Sequence, residues 1–177
     1  VARLASGDAP ARYFVTQNAA VPRREFLSIG GFDEDFSAYG FEDMEVAFRL
    51  EDLAGVRFRV LPAPVPVHVH HHTLQEYFEK KRECGRRSLP RIAEFHPNRL
   101  REMRLDLVLD APGSSAGLPA RLFRRFADSG LGRKLPGRMA DWPRDEKQNP
   151  RFERLYFFWM NLAVLCCYRH GVTEGDT

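Results

Sequence analysis

Apolar side chains recur at three-and-four spacing between residues 41 and 54, at Met44, Ala47, Phe48 and Leu50 with Val46 and Leu53. That period predicts a helix over Phe41–Ala54, with Gly55 as its cap. From Val56 to Pro62 the pattern changes to apolar and basic residues in alternation, as in a half-exposed strand. The next segment, "APVPVHVHHH" (63–72), holds too much proline for a helix and is expected as an extended edge. Thr73 with Glu76 has the capping-box spacing, so a further helix is expected from Leu74 through Leu89, stopping at Pro90. Upstream, the apolar run Tyr13–Val15 reads as a strand end, and Pro22 suits the first turn of a short helix, Arg23–Ile29. The Gly30-Gly31 pair ends that helix, and a loop runs from Phe32 to Gly40. Beyond Pro90 the pattern predicts helices near Pro97–Arg104, Pro119–Asp128 and, at greater length, Pro150–His170. Asp110–Leu118 and the Gly/Pro/Arg-rich Gly130–Asn149 read as connecting loops, and the chain holds no internal repeat.

Composition narrows the class. At 177 residues, 44% hydrophobic and with 14 Phe, the chain can bury a substantial core. A net charge of +3 and a pI near 8.9 permit weak attraction to phosphates or anionic surfaces but do not call for nucleic acid. The cations are clustered, at Lys80–Arg104 and again at Arg121–Arg138. Cys84, Cys166 and Cys167 form no disulfide framework and lack metal-ligand spacing, which points to buried or free thiols in a reducing compartment. The first residues hold no apolar segment of a signal peptide and no initiator Met, so an excised piece of a longer cytoplasmic protein is expected. Leu155–Tyr168 is strongly apolar but short of the roughly 20 residues that span a bilayer.

Candidate chemistry concentrates in "GGFDEDFSAYGFEDMEVAFRL" (30–50). A solvated acidic loop has no need of Phe32, Phe36, Tyr39 and Phe41, and a plain core has no use for Asp33, Glu34, Asp35, Glu42 and Asp43. The mixture predicts the wall of a pocket. Asp43, just inside a helix start, could take a proton from a substrate hydroxyl. On composition alone, compensation of the helix dipole by Glu42 and Asp43 is the more economical reading. In the extended histidine run, His68, His70 and His72 would face one way, as metal ligands for Mn, Zn or a similar ion or as a polar strand edge. "KKRECGRRS" reads first as a solvated helix face and second as a contact for phosphates or an anionic membrane. Phe157, Phe158 and Trp159 read as core packing of a terminal helix or, if exposed, as a monotopic bilayer contact.

Taken in order, the motifs resemble a known family. Asn18 at a strand end, Arg23 or Arg24 on a helix, Gly30-Gly31-Phe32-Asp33-Glu34, Gly40 to Asp43, Arg49-Leu50, and then His68 or His70 follow a shared pattern. It resembles the C-terminal half of the catalytic domain of family 2-type glycosyltransferases of GT-A fold, and the related C-terminal module of galactosyltransferases. The likeness covers roughly Tyr13 to Ser88. It implies an α/β fold: the C-terminal portion of a GT-A (nucleotide-diphospho-sugar transferase) domain with a few mixed-sheet strands over residues 1–89, and a mostly helical extension over 90–177.

The resemblance also implies a mechanism. Asp43 would be the general base with Glu42 beside it, and the acceptor hydroxyl would attack the anomeric carbon of a sugar nucleotide as its diphosphate departs, with inversion. A divalent metal, Mn or Mg, would neutralise the diphosphate, held by His68 or, second, His70 and by an Asp-x-Asp motif of the donor half. Phe32, Tyr39 and Phe41 would stack on sugar faces, Gly30 and Gly31 would admit close backbone approach, and Asn18, Asp33 and Gly40 would complete the substrate surface. The acceptor would be a saccharide or lipid-linked sugar, as in polysaccharide biosynthesis. No Asp-x-Asp-bearing nucleotide half precedes the matched stretch, so the chain is expected to be inactive alone. The rival expectation is a non-catalytic saccharide- or partner-binding module derived from such an enzyme. Unpaired sheet edges would favour a homodimer, and the basic helices with the Phe157 region would favour peripheral contact at the inner face of the membrane.

Overall fold

The computed structural model describes residues 7–36, 38–61, 72–109, 117–142 and 150–175, and for 150–152 the backbone alone. The chain divides into two compact units, Val1–His70 and His71–Thr177.

In the first unit β1 (Gly7–Ala9) pairs antiparallel with β2 (Phe58–Val60), Gly7 facing Val60 and Ala9 facing Phe58. The alternation expected around β2 holds, with Phe58 and Val60 half-buried and Arg59 exposed. Among the described residues this antiparallel pair is the whole sheet, not the mixed sheet expected. The strand end expected at Tyr13–Val15 is also displaced. Ala11–Tyr13 forms a 3-10 turn, and Phe14 continues in extended conformation with its ring 5.1 Å from that of Phe58. Pairing with β2, fifty residues away, selects the strand, and no local pattern announces it.

Helix α1 (Arg23–Ser28) ends at a paired glycine turn, and α2 (Glu42–Ala54) follows the loop. Helix α2 buries Val46, Ala47, Phe48 and Leu50, with Ala11 of the 3-10 turn buried in the same unit. Burial of side chains of the size of Phe48 and Leu50 is worth roughly 1.5–3 kcal/mol each, which fixes this helix as the unit's core. Leu53, assigned to the same stripe, is instead exposed at the end of the helix.

Every regular element described in the second unit is a helix or a helical turn. Thr73 and Glu76 form the expected capping box, opening α3 (Leu74–Glu83). The helix does not stop at Pro90. A π turn over Cys84–Ser88 leads into α4 (Leu89–Phe95), and the N–H of Leu89 reaches back to the carbonyl of Cys84. The widened turn lies just ahead of the proline, which has no N–H to contribute, so the run passes through it. The boundary expected at residue 89 falls within this continuous run. In place of a helix over Pro97–Arg104 there are 3-10 turns at Pro97–Arg99 and Leu105–Leu107.

Helix α5 (Leu118–Asp128) matches expectation, whereas α6 (Gly130–Ala140) occupies part of the expected loop. Ser129 caps α6 by accepting from the N–H of Gly132, and a Cβ on Gly132 would strike the backbone of Phe126 and Ala127. Close packing there outweighs the poor helix propensity of the glycines and Pro136. Helix α7 (Pro150–Gly175) runs five residues past its expected end and packs on α3, the π turn and α6. The crossing is tight: a Cβ on Gly85 would overlap the backbone of Tyr168, and one on Gly171 the carbonyl of Arg82. Arg82 and Glu174 pair beside it, holding the Glu174 carboxyl below its ordinary range. Trp159 is half-buried against the cluster of Phe78, Met139, Ala163 and Cys167, as core packing requires, while Phe157 and Phe158 are exposed. All three cysteines are free and buried. Among the described residues no helix is long and apolar enough to cross a membrane.

Candidate active site

Gly30 and Gly31 sit where α1 must reverse direction. Their φ values are +83° and +75°, a region that side chains with a Cβ enter only under strain. The N–H of Gly30 bonds the carbonyl of Leu27 and that of Gly31 bonds Phe26, both at 3.1 Å, a complete Schellman closure. Asp33 then turns the chain: its Oδ1 accepts from the N–H of Asp35 at 3.1 Å, and its carbonyl accepts from Phe36. Phe32 packs edge-on against Phe26, ring centroids 5.5 Å apart, yet stays 45% exposed.

This turn is anchored to α2 by Arg49, seven residues into the helix. Its Nε and Nη2 donate to the two carboxylate oxygens of Glu45, at 2.5 and 2.6 Å, and Nη1 donates to the carbonyl of Ile29 at 2.7 Å. Glu45 is buried, so this two-pronged pairing is what permits a carboxylate there. The spacing of Glu45 and Arg49, four apart on one helix, was a signal for the pair, but nothing local pointed to Ile29.

At the other end of the loop, Gly40 (φ +103°) and Phe41 (φ +71°) lead into α2. A positive φ on a residue as bulky as Phe costs on the order of 1–2 kcal/mol and marks a site held in place by its surroundings. The strained residue immediately precedes Glu42 and Asp43. Asp43 is half-buried and its Oδ1 accepts from the hydroxyl of Thr16 at 2.7 Å. Its Oδ2 makes no hydrogen bond among the described residues. Oε2 of Glu42 is buried with no partner there either. Such an oxygen is costly to hold unless a ligand, water or proton meets it. Both acids lie in the first helical turn, where the dipole favours them, but that role leaves these two oxygens unused.

Asn18 is exposed at the end of the 3-10 turn Thr16–Asn18, the turn that carries the Asp43 partner. Tyr39 is 54% exposed and Phe41 half-buried. The structure thus brings Thr16 to Asp43, keeps Glu42 in the same first turn of α2, and sets Gly30, Gly31, Phe32 and Asp33 on one turn clamped by Arg49. Oδ1 of Asp33 accepts within that turn. His68 and His70 lie outside the described residues, and among the described residues no group of three or more His, Cys, Asp or Glu is arranged to hold a metal. His72, at the end of that run, is exposed beside Lys80 and Glu76.

Residues 3–72 match the family model described as the N-terminal domain of galactosyltransferase. Similar curated proteins include an uncharacterized glycosyltransferase, YfnE, of Bacillus subtilis (strain 168), 42% identical over 62 residues, which are 35% of this chain and 16% of that protein. Validoxylamine A glucosyltransferase of Streptomyces hygroscopicus subsp. jinggangensis (strain 5008) is 46% identical over 41 residues, 23% of this chain and 10% of its own length. Rhamnosyltransferase WbbL of Escherichia coli (strain K12) is 33% identical over 89 residues, 41% of this chain and 33% of that protein. These matches support a glycosyltransferase domain. In each case the chain spans a third or less of the relative. No solved structure matches it significantly.

Proposed function

We propose that the first compact unit is the acceptor side of a GT-A glycosyltransferase, with Asp43 as the general base. One observation carries the reading. Asp43 is held through Oδ1 by Thr16 while Oδ2 is left to accept a proton, and Glu42, the preceding residue, keeps a buried, unpartnered oxygen. An acceptor hydroxyl bonded to Oδ2 would pass its proton there as its oxygen forms a bond to the anomeric carbon. The bond from that carbon to the donor diphosphate breaks as the electron pair leaves with the phosphate. The outcome is inversion at a hexosyl centre. General-base assistance of this kind is worth about 10²–10⁴ in rate. Phe32 and Tyr39, exposed on either side of the loop sequence, supply apolar faces for sugar rings.

A divalent ion, Mn or Mg, with His68 or His70 and an Asp-x-Asp of a donor half, belongs to the same proposal. The chain by itself is proposed to bind an acceptor saccharide without transferring sugar. Saturation-transfer NMR should detect saccharide contact at the purified chain, weakened by Tyr39→Ala, and assays with nucleotide sugars and Mn or Mg should show no turnover. Turnover by the purified chain would overturn the division into acceptor and donor halves.

A further inference from the structure

The outward face of α5 combines features that packing of its own unit does not require. Leu118 and Leu122 are 61% and 56% exposed. At about 100° per residue they share a face with Arg121 and Arg125, both also exposed. The opposite face buries Ala120, Arg124 and Ala127, so the helix cannot rotate to hide the leucines. Other charges here are committed elsewhere. Arg124 donates to the carbonyls of Leu107 and Asp106, and Asp128 pairs with Arg169 at 3.0 Å. Arg121 and Arg125 make no ion pair among the described residues. Helix α6 repeats the arrangement, with Leu131 64% exposed on the same face as Lys134 and Arg138.

We propose that this Leu/Arg face of α5, with its counterpart on α6, docks on an anionic lipid bilayer. Eleven residues reach only about 16 Å, half of a hydrocarbon core, so α5 would lie in the plane of the interface. The leucines enter the boundary between headgroups and acyl chains, and the guanidinium groups meet lipid phosphates. Aliphatic side chains between the cations suit lipid better than nucleic acid, whose bases stack on aromatic rings. The inference stands independently of glycosyl transfer.

The test is co-sedimentation of the full chain with phosphatidylcholine vesicles, with and without about a quarter phosphatidylglycerol, at about 0.1 M and about 0.5 M salt. Binding is expected to the anionic vesicles alone and to fall at the higher salt. At roughly fivefold per cation near a charged surface, R121Q/R125Q should lower partition about 25-fold. L118Q/L122Q should lower it by at least about tenfold through lost insertion. R133Q, which removes a cation lining a cleft of about 280 Å³ beside Arg82 and not on this face, should change it less than about twofold. Circular dichroism of each variant verifies that it is folded. Equal binding to neutral vesicles, no binding to anionic ones, or unaltered binding by either double variant overturns the proposal. So does binding to heparin without binding to vesicles, which would assign the cations to another polyanion.

Discussion

The hydroxyl of Thr16 donates to Oδ1 of Asp43 over 2.7 Å, joining a 3-10 turn to the first turn of a helix twenty-seven positions later. The bond engages Oδ1 and leaves Oδ2 without a hydrogen bond among the described residues. Thr16→Val keeps the shape of the side chain and removes the donor. If Asp43 is the base, kcat in a full-length protein carrying this sequence should fall about fivefold, the equivalent of one hydrogen bond. Thr16→Ser should restore it, and steady-state kinetics of the two variants checks both.

Arg49 holds the turn at Gly30-Gly31 to α2 through Glu45 and the carbonyl of Ile29. Arg49→Ala would take the guanidinium fork away from the buried Glu45 carboxylate, at a cost of about 3 kcal/mol. The urea midpoint of the first unit should drop accordingly. Arg49→Lys, with a point charge in place of a planar fork, should recover only part of the loss.

Burial pushes Cys166 and Cys167 up from 9.0 to about 12. A thiol whose pKa is raised on folding contributes its full stability below the unfolded value and loses it as pH rises toward the folded one. The second unit should therefore hold its stability up to about pH 9 and lose on the order of 1 kcal/mol per thiol by about pH 10. Urea midpoints across this range check the slope, and C166A/C167A should flatten it. Below that range both thiols should react slowly with iodoacetamide until the unit unfolds, because the thiolate is the reactive form.

Sequence made the locally encoded features legible. The capping box of Thr73 and Glu76, the Gly30-Gly31 stop and the extent of α2 each depend on residues within a turn of one another. Tertiary contacts decided the rest. The strand lies at Gly7–Ala9 because β2 pairs with it there, and α6 forms through Pro136 because Gly132 packs on Ala127. The π turn at Cys84–Ser88 carries the helix past a proline that local rules treat as a stop. In the site, the motif order pointed to Asp43 and Glu42. Thr16 and the hold of Arg49 on Ile29 carry no local signature, since their partners are distant in the chain.

Transfer of the acceptor proton to Asp43 is tested most directly by the turnover of Asp43→Asn in a full-length protein carrying this sequence. The substitution preserves shape and the bond from Thr16 but removes the basic oxygen. A loss in kcat of about 10² or more is expected, with nucleotide-sugar binding unchanged. Turnover within a fewfold of the unsubstituted protein would contradict it.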